Sequence, residues 1–340
     1  MKKLIFIVFV AAGIVAGCSG SAGGGEEGIV QRYSARLKDP RVYVCHHTKG
    51  SIVMDGCLSE KDWQEARWSE NFVDIATDKV PSKNTRVKML WDANYLYIGA
   101  KIEEDKIVAN LKQRDTIIWK ENDFEVFIDP DGDGQSYFEI EINAIGTVMD
   151  LMMNRPYRNG GDFYMPWNCP GLIVRTSHDS HFWYAEMAIP HSSLMMGFTH
   201  PEELDAWRIN FSRVEWIPGQ EEEENWVWSP TTLVDMHMPE KWGWLLFNEG
   251  TKVPEVYSDP AYKLLWAMFY AQMVEKGTKG KYICNLDDFG ISDAEKASVG
   301  PIRLQAVEDF FKIEVETLSG SSVLSVDSYG CFSTASPKAK

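Results

Sequence analysis

The chain has 340 residues, 44% apolar and 25% charged, a globular composition with room for one large domain and an appendage, or two ordinary domains. A formal charge of −16 excludes nucleic acid and anionic lipid headgroups as partners, because such a surface repels both; neutral ligands and cations such as calcium remain compatible. Thirteen Trp, thirteen Tyr and sixteen Phe make up 12% of the residues, which favours an all-β protein or an aromatic-lined binding surface.

Lys2 and Lys3 open the chain as a positive n-region, and LIFIVFVAAGIV follows as an apolar h-region too short to span a membrane with proper flanks. The run ends in Val15-Ala16-Gly17-Cys18, which resembles the bacterial lipobox, so residues 1–17 are expected to be a lipoprotein signal peptide and Cys18 the lipidated N-terminus. Several acyl chains on one cysteine anchor a protein stably, since each buried methylene contributes ~0.8 kcal/mol. SGSAGGGEEG then opens a flexible tether expected over 18–40. The expected location is the cell envelope, on the outer membrane. Five cysteines remain, Cys45, Cys57, Cys169, Cys284 and Cys331. The odd count leaves at least one unpaired, and the closeness of Cys45 and Cys57 makes them the one pairing to expect.

From Arg41 to Phe247 short alternating segments are punctuated by Gly, Pro, Asn and Asp: TRVKMLW, NYLYIGAKI, DFEVFID, SYFEIEIN, GLIVRTS, FWYAEMAIP and AWRINFSRVEW. Regular strands with turn signals between them predict an antiparallel, jelly-roll-like β-sandwich over 41–250. Asp92-Ala93-Asn94 supplies a turn between two aromatic-rich strands. The helix signal in this stretch is Leu58–Trp63, with Ser59 as N-cap. Beyond Pro254, DPAYKLLWAMFYAQMVEKG carries apolar residues at helical spacing, with Asp259 as N-cap, Pro260 in the first turn and Gly277 as the stop. Strand-like segments follow it, predicting a small α+β extension over 255–335.

Six segments occur in an order that resembles the family 9 carbohydrate-binding modules and their relatives in the DOMON-like sandwich superfamily. They are IVMDGCLSEKDWQEA, TRVKMLWDANYLYIGAKIEE, NDFEVFIDPDGD, YFEIEIN, WYAEMAIP and HMPEKWGWLLF. Each is weak alone; six in order over residues 45–247 carry the resemblance. It implies a calcium-associated sandwich that binds poly- or oligosaccharides between aromatic side chains, in support of polysaccharide breakdown. No catalytic domain accompanies it here, so partner enzymes or a transporter are implied.

Sugar sites need flat apolar faces against pyranose C–H groups and fixed polar groups for hydroxyls. Trp119 lies six residues before Glu125, a spacing that resembles the family's pairing of a stacking tryptophan with a hydroxyl-binding glutamate. In the strand 124–129, Glu125 shares a face with Phe127 and Asp129, opposite Phe124, Val126 and Ile128. Glu139, Glu141 and Asn143 alternate likewise on the next strand, so Asn143 joins the expected ligand face. By the resemblance Trp228 is expected as the second stacking wall, with one of Trp226 and Trp228 in the core; Arg208, in AWRIN, is a candidate bidentate donor by its side-chain chemistry. Asp129, Asp131 and Asp133 match the head of a calcium loop, although Ile140 stands where an EF-hand needs its bidentate acid, so a hairpin turn is the form expected, either a bare acidic turn or one that holds a calcium ion with carbonyls and water.

Two other readings stay open on these residues. A carboxylate pair among Glu125, Glu139 and Glu141 has the makings of a glycoside hydrolase site, although G-x-S-x-G, H-E-x-x-H and P-loop motifs are missing. His237 between Met236 and Met238, and His191 before Met195 and Met196, recur in the manner of a haem-binding DOMON-like domain, without a C-x-x-C-H attachment site.

Overall fold

The computed structural model describes residues 27–194, 206–217, 221–248 and 250–336. The leader and Cys18, like Met195 and Met196, lie outside the described residues. In chain order the elements begin with helix α1 (Ile29–Arg32), β1 (Val42–Val44), β2 (His46–His47), α2 (Lys61–Glu65) and β3 (Val73–Asp74). The long strands follow: β4 (Thr85–Trp91), β5 (Tyr95–Glu103), β6 (Asp123–Asp129), β7 (Phe138–Asn143) and β8 (Val148–Met153). After them come β9 (Phe163–Tyr164), β10 (Ile173–His178), β11 (Phe182–Pro190), β12 (Ala206–Glu215), β13 (Glu224–Val227) and β14 (Gly243–Leu246). The chain closes with α3 (Pro260–Lys279), α4 (Asp293–Ala297), β15 (Val299–Ala306), β16 (Phe311–Thr317), β17 (Val323–Asp327) and β18 (Phe332–Ala335).

Two sheets face each other. One runs β1-β14-β12-β6-β7-β8-β9, with β13 and β3 attached beside β12; the other runs β10-β11-β5-β4-β2. Pairing is antiparallel except at β1–β14 and β2–β4, short strands at the sheet margins. Period-two alternation does the packing: Phe124, Val126 and Ile128 of β6 and Trp207, Ile209 and Phe211 of β12 point inward. They meet Val87, Met89, Ile98, Ala100, Trp183, Ala185 and Met187 from the opposite sheet. The result is a mainly-β sandwich. Two segments far apart in sequence are tied by Glu186, whose carboxylate accepts from Trp63 Nε1 (2.9 Å) and from the Asp55 and Gly56 amides (3.0 and 2.9 Å).

The sheet β15-β16-β17-β18 carries α3 against it, and Phe311, Ile313, Val315, Leu324 and Val326 pack on Leu265, Met268 and Phe269. Asp259 caps α3 by accepting from Ala261 N at 2.8 Å. The helix passes through Gly277 and stops at Gly280, whose φ of 73° is the left-handed cap, so Gly277 is not the stop. Ser59 is likewise not a cap: α2 starts two residues later, after Glu60. No helix of the described residues is long and apolar enough to cross a membrane.

The N-terminal segment departs from the expected tether over 18–40. Ile29 is fully buried in the α3 core, and the Ile29 and Val30 amides donate to Glu295 at 3.2 and 2.7 Å. Lys241 Nζ binds the Arg36 and Lys38 carbonyls, both at 2.9 Å. Residues 29–38 are therefore docked, because α3 is apolar almost all round and needs a second cover. The Cys45–Cys57 pairing is also overturned: Cys45 is buried and Cys57 exposed, and both are free thiols.

Candidate functional site

The outward face of β6, β7 and β12 divides in two. At one end Phe127, Leu151 and Val227 are covered by the 229–242 loop, whose Met236 and Trp242 complete a small apolar cluster. Asn210 pins that loop through the Ser229 backbone, donating to its carbonyl at 2.8 Å and accepting from its amide at 2.9 Å. The other end is acidic. Glu125 stands across from Glu141 on β7 and from Ser212 on β12, and Asp123 lies across from Asn143.

Trp119 reaches this end from the segment 105–122, which is fastened at several points. Glu121 accepts from the Asn110 amide at 2.7 Å and from the Leu111 amide, and Asn122 accepts from the Val108 amide at 2.6 Å. Ile118 is buried beneath the single helical turn Ile118–Lys120. Trp216, just past the end of β12, meets Trp119 there. The ring centroids are 6.5 Å apart, the planes 15° from parallel, and Trp216 Nε1 donates to the Trp119 carbonyl at 2.9 Å. Both indoles are half-buried, and Lys120 Nζ stands 5.6 Å from the Trp119 centroid. A sugar ring between two indoles needs about 7–8 Å, twice a carbon–carbon contact of about 3.5–4 Å. The observed separation is about 1 Å short of that spacing.

Trp216 is held from behind. Arg213 binds Glu215 and, at 2.7 Å, Glu104; Lys83 bridges the same two carboxylates at 2.8 and 2.7 Å. Two cations and two anions close on one another with little exposure, a geometry in which each buried charge has its partner.

The remaining expected site residues lie elsewhere or act differently. Trp228 is fully buried in the inter-sheet core with Trp226, its Nε1 donating to Glu70 at 3.1 Å. A two-residue step along a strand keeps both indoles on the same face, so neither is a ligand wall. Arg208, 2% exposed, lies between the sandwich and the C-terminal unit. Its guanidinium carbon sits 3.7 Å from the Trp244 ring centroid, and it donates to the Trp242 carbonyl at 2.8 Å and the Tyr262 hydroxyl at 3.1 Å. Asn143 is fully buried and spends its amide on the frame. It donates to the Leu111 carbonyl and to Glu121, and accepts from the Ile145 and Thr147 amides. It thus holds the Trp119 segment and does not offer itself to a ligand.

Asp129, Asp131 and Asp133 converge, each bringing one carboxylate oxygen to within 4.8 Å of the others. Asp129 already accepts from the Gly132 and Gly134 amides at 3.1 and 2.9 Å, which shapes the turn. The turn packs on the C-terminal unit, where the Phe332 amide donates to the Asp133 carbonyl at 2.9 Å. It lies at the opposite end of β6 from the indoles. Burial, with Asp131 next to it, pushes the Asp133 carboxyl up to about 6.

Burial dominates the acidic face as well. It raises Glu125 to about 7 and raises Glu139 to about 8, with help from the Glu125 charge. His237 is held in the neutral form by burial, its pKa lowered to about 4. Its Nδ1 lies 2.8 Å from the Tyr137 hydroxyl and its Nε2 3.9 Å from Glu139, so both ring nitrogens face protein groups.

Trp216 is the residue that reading the sequence missed. The signal was present: counting outward-facing positions from Arg208 through Asn210, Ser212 and Val214 reaches Trp216, on the side of Glu125.

A sandwich that presents paired indoles and a polar patch on one sheet face defines a ligand-binding domain of the β-sandwich class. The chain belongs to the family described as carbohydrate family 9 binding domain-like, which it matches over residues 54–248. Among solved structures it resembles a Bacteroides uniformis protein proposed to bind carbohydrate, with 16% identity and a TM-score of 0.50 over 62% of this chain and all of that one, a likeness of fold. Two structures of a family 9 module from Caldicellulosiruptor kristjanssonii also align over 62% of this chain. The complex with cellotriose gives 15% identity, 98% coverage of that chain and a TM-score of 0.45; the complex with glucose gives 14%, 100% and 0.44. No curated protein matches the sequence.

Proposed function

We propose that this protein captures poly- or oligosaccharides without cleaving them, with a pyranose ring seated between Trp119 and Trp216. The observation that carries this reading is the pair itself: two half-buried, near-parallel indoles 6.5 Å apart at the rim of an acidic sheet face. Glu125, on that face, accepts from sugar hydroxyls, and Lys120 beside Trp119 is a donor of the right reach. Export and lipidation at Cys18 hold the domain at the cell envelope, on the outer membrane, so that captured glycan stays near degrading enzymes or a transporter. Calcium at Asp129, Asp131 and Asp133 firms the turn against the C-terminal unit.

The test is a glycan array followed by affinity electrophoresis on residues 19–340 with calcium present. Wild type is expected to bind, and Trp119→Ala and Trp216→Ala each to weaken binding at least about 30-fold, the ~2 kcal/mol of a buried aromatic anchor. A wild-type protein that retains no glycan on the array ends this reading.

Glycoside hydrolysis draws on the same face, because Glu139, held near 8, is protonated at neutral pH as a general acid must be. Release of reducing sugar by wild type, lost in Glu139→Gln, would replace capture with catalysis.

A further inference from the structure

The acidic end of the ligand face holds more carboxyl groups than hydroxyl recognition uses. Asp123, Glu125 and Glu141 each bring a carboxylate oxygen to within 4.8 Å of the others. Strand register enforces this: Glu125 and Glu141 are direct cross-strand partners, and Asp123 is the next residue on the same side of β6. All three are deeply buried, with exposures of 0%, 6% and 2%. Among the described residues none of them has a Lys, Arg or His within ion-pair distance. Arg213, whose field reaches Asp123, is bound to Glu104 and Glu215. Glu139 adds a fourth carboxylate one same-face step along β7.

A second, independent observation concerns hydrogen bonds. Asp123 Oδ2 and Glu141 Oε2 are buried and accept from no donor. Buried carboxylate oxygens are costly without a donor or a counter-ion. The turn at Asp129 differs on this point, since both its carboxylate oxygens accept from glycine amides. The unpartnered oxygens belong to the β6–β7 face.

We propose that Asp123, Glu125 and Glu141 bind a divalent, oxygen-seeking cation of the calcium class on the ligand face. The donor set is all carboxylate, with no imidazole or thiolate, which suits a hard cation and not zinc or copper. Calcium takes oxygens at about 2.3–2.6 Å, so ligands on opposite sides of one ion stand up to about 5 Å apart, and a 4.8 Å cluster fits around it. Calcium's six to eight positions exceed what three carboxylates fill, leaving outward positions for water or a ligand oxygen. Ser212, across β12 from Glu125, adds a hydroxyl to the same face.

The test uses chelator-treated residues 19–340 and calcium alone, with no sugar, so the fate of the saccharide reading does not affect it. Calcium binding is followed by titration calorimetry and by thermal unfolding with calcium or EDTA. Asp123→Asn and Glu141→Gln keep side-chain shape while removing charge. Each is expected to abolish one calcium equivalent or weaken it at least tenfold, and to remove the matching part of the calcium-induced rise in Tm. In EDTA each should melt at or above the wild-type temperature, because a buried carboxyl oxygen without a donor has been replaced by a neutral amide; this separates loss of the site from loss of the fold. Asp129→Asn should keep the equivalent that Glu141→Gln loses. A chelated wild type that binds no calcium overturns the proposal. So does a folded Glu141→Gln protein with wild-type stoichiometry and affinity, or an Asp129→Asn protein that loses all binding.

Discussion

Trp216 owes its place to bonds on either side of it. Glu215 is locked by Arg213 and Lys83, and the indole N–H is spent on the Trp119 carbonyl, so one wall of the proposed clamp positions the other. His237 shows a different effect of burial at this scale. Burial holds its folded pKa near 4, helped by the Arg158 charge and opposed by Asp235, with Tyr137, Tyr157 and Glu139 also facing the ring. The depressed pKa means that the folded state binds fewer protons than the unfolded state between about pH 4 and 6.5. Its contribution is therefore complete above pH 6.5 and is lost as pH falls toward 4, by up to about 3 kcal/mol. Glu125 and Glu139, raised to about 7 and 8, act with the opposite sign, favouring the fold as pH falls through those values toward the normal carboxylate range. The imidazole's share is isolated by difference: denaturant titrations of wild type and His237→Gln should converge as pH drops from 6.5 to 4. A constant offset across that range would contradict it.

The element that best exposes local rules is α3. Its start was readable because Asp259 and Pro260 act through their nearest neighbours: a carboxylate for an orphan amide and a pre-set φ. Its end was not, since Gly277 and Gly280 are equally good stops in sequence, and the exposed last turn runs on through Gly277 to Gly280, where the backbone turns left-handed. The two positions should respond with opposite signs. Gly277→Ala, in the helix interior with open space around its Cβ, should stabilise by about 1 kcal/mol. Gly280→Ala, forced to φ 73°, should destabilise by about 1 kcal/mol. Urea midpoints at constant m-value measure both. The strands follow the same logic: β6 and β7 could be assigned, and sided, from alternation alone, because a period of two is a property of the backbone.

The C-terminal unit and the sandwich form a joint fold at the level of the whole molecule. Arg208 of β12 lies over Trp244 and reaches Tyr262 of α3, while residues 29–38 cover the outer side of α3. Arg208→Ala is expected to destabilise by about 3 kcal/mol through lost packing and stranded partners, yet to leave the glycan affinity of the folded protein unchanged. Calorimetry alongside binding separates these, and a loss of affinity at full stability would return Arg208 to the ligand site. By itself the sequence determined the strand-rich sandwich, the outward aim of Glu125 and the acidic character of its face, because alternation and charge are written locally. Only the tertiary structure decided which tryptophans are exposed. Trp226 and Trp228 vanish into the inter-sheet core once β13 pairs with β12, whereas Trp119 and Trp216, 97 positions apart, meet because β6 and β12 are neighbours. Pairing between distant strands depends on the burial of the whole sheet, and no short stretch of sequence encodes it.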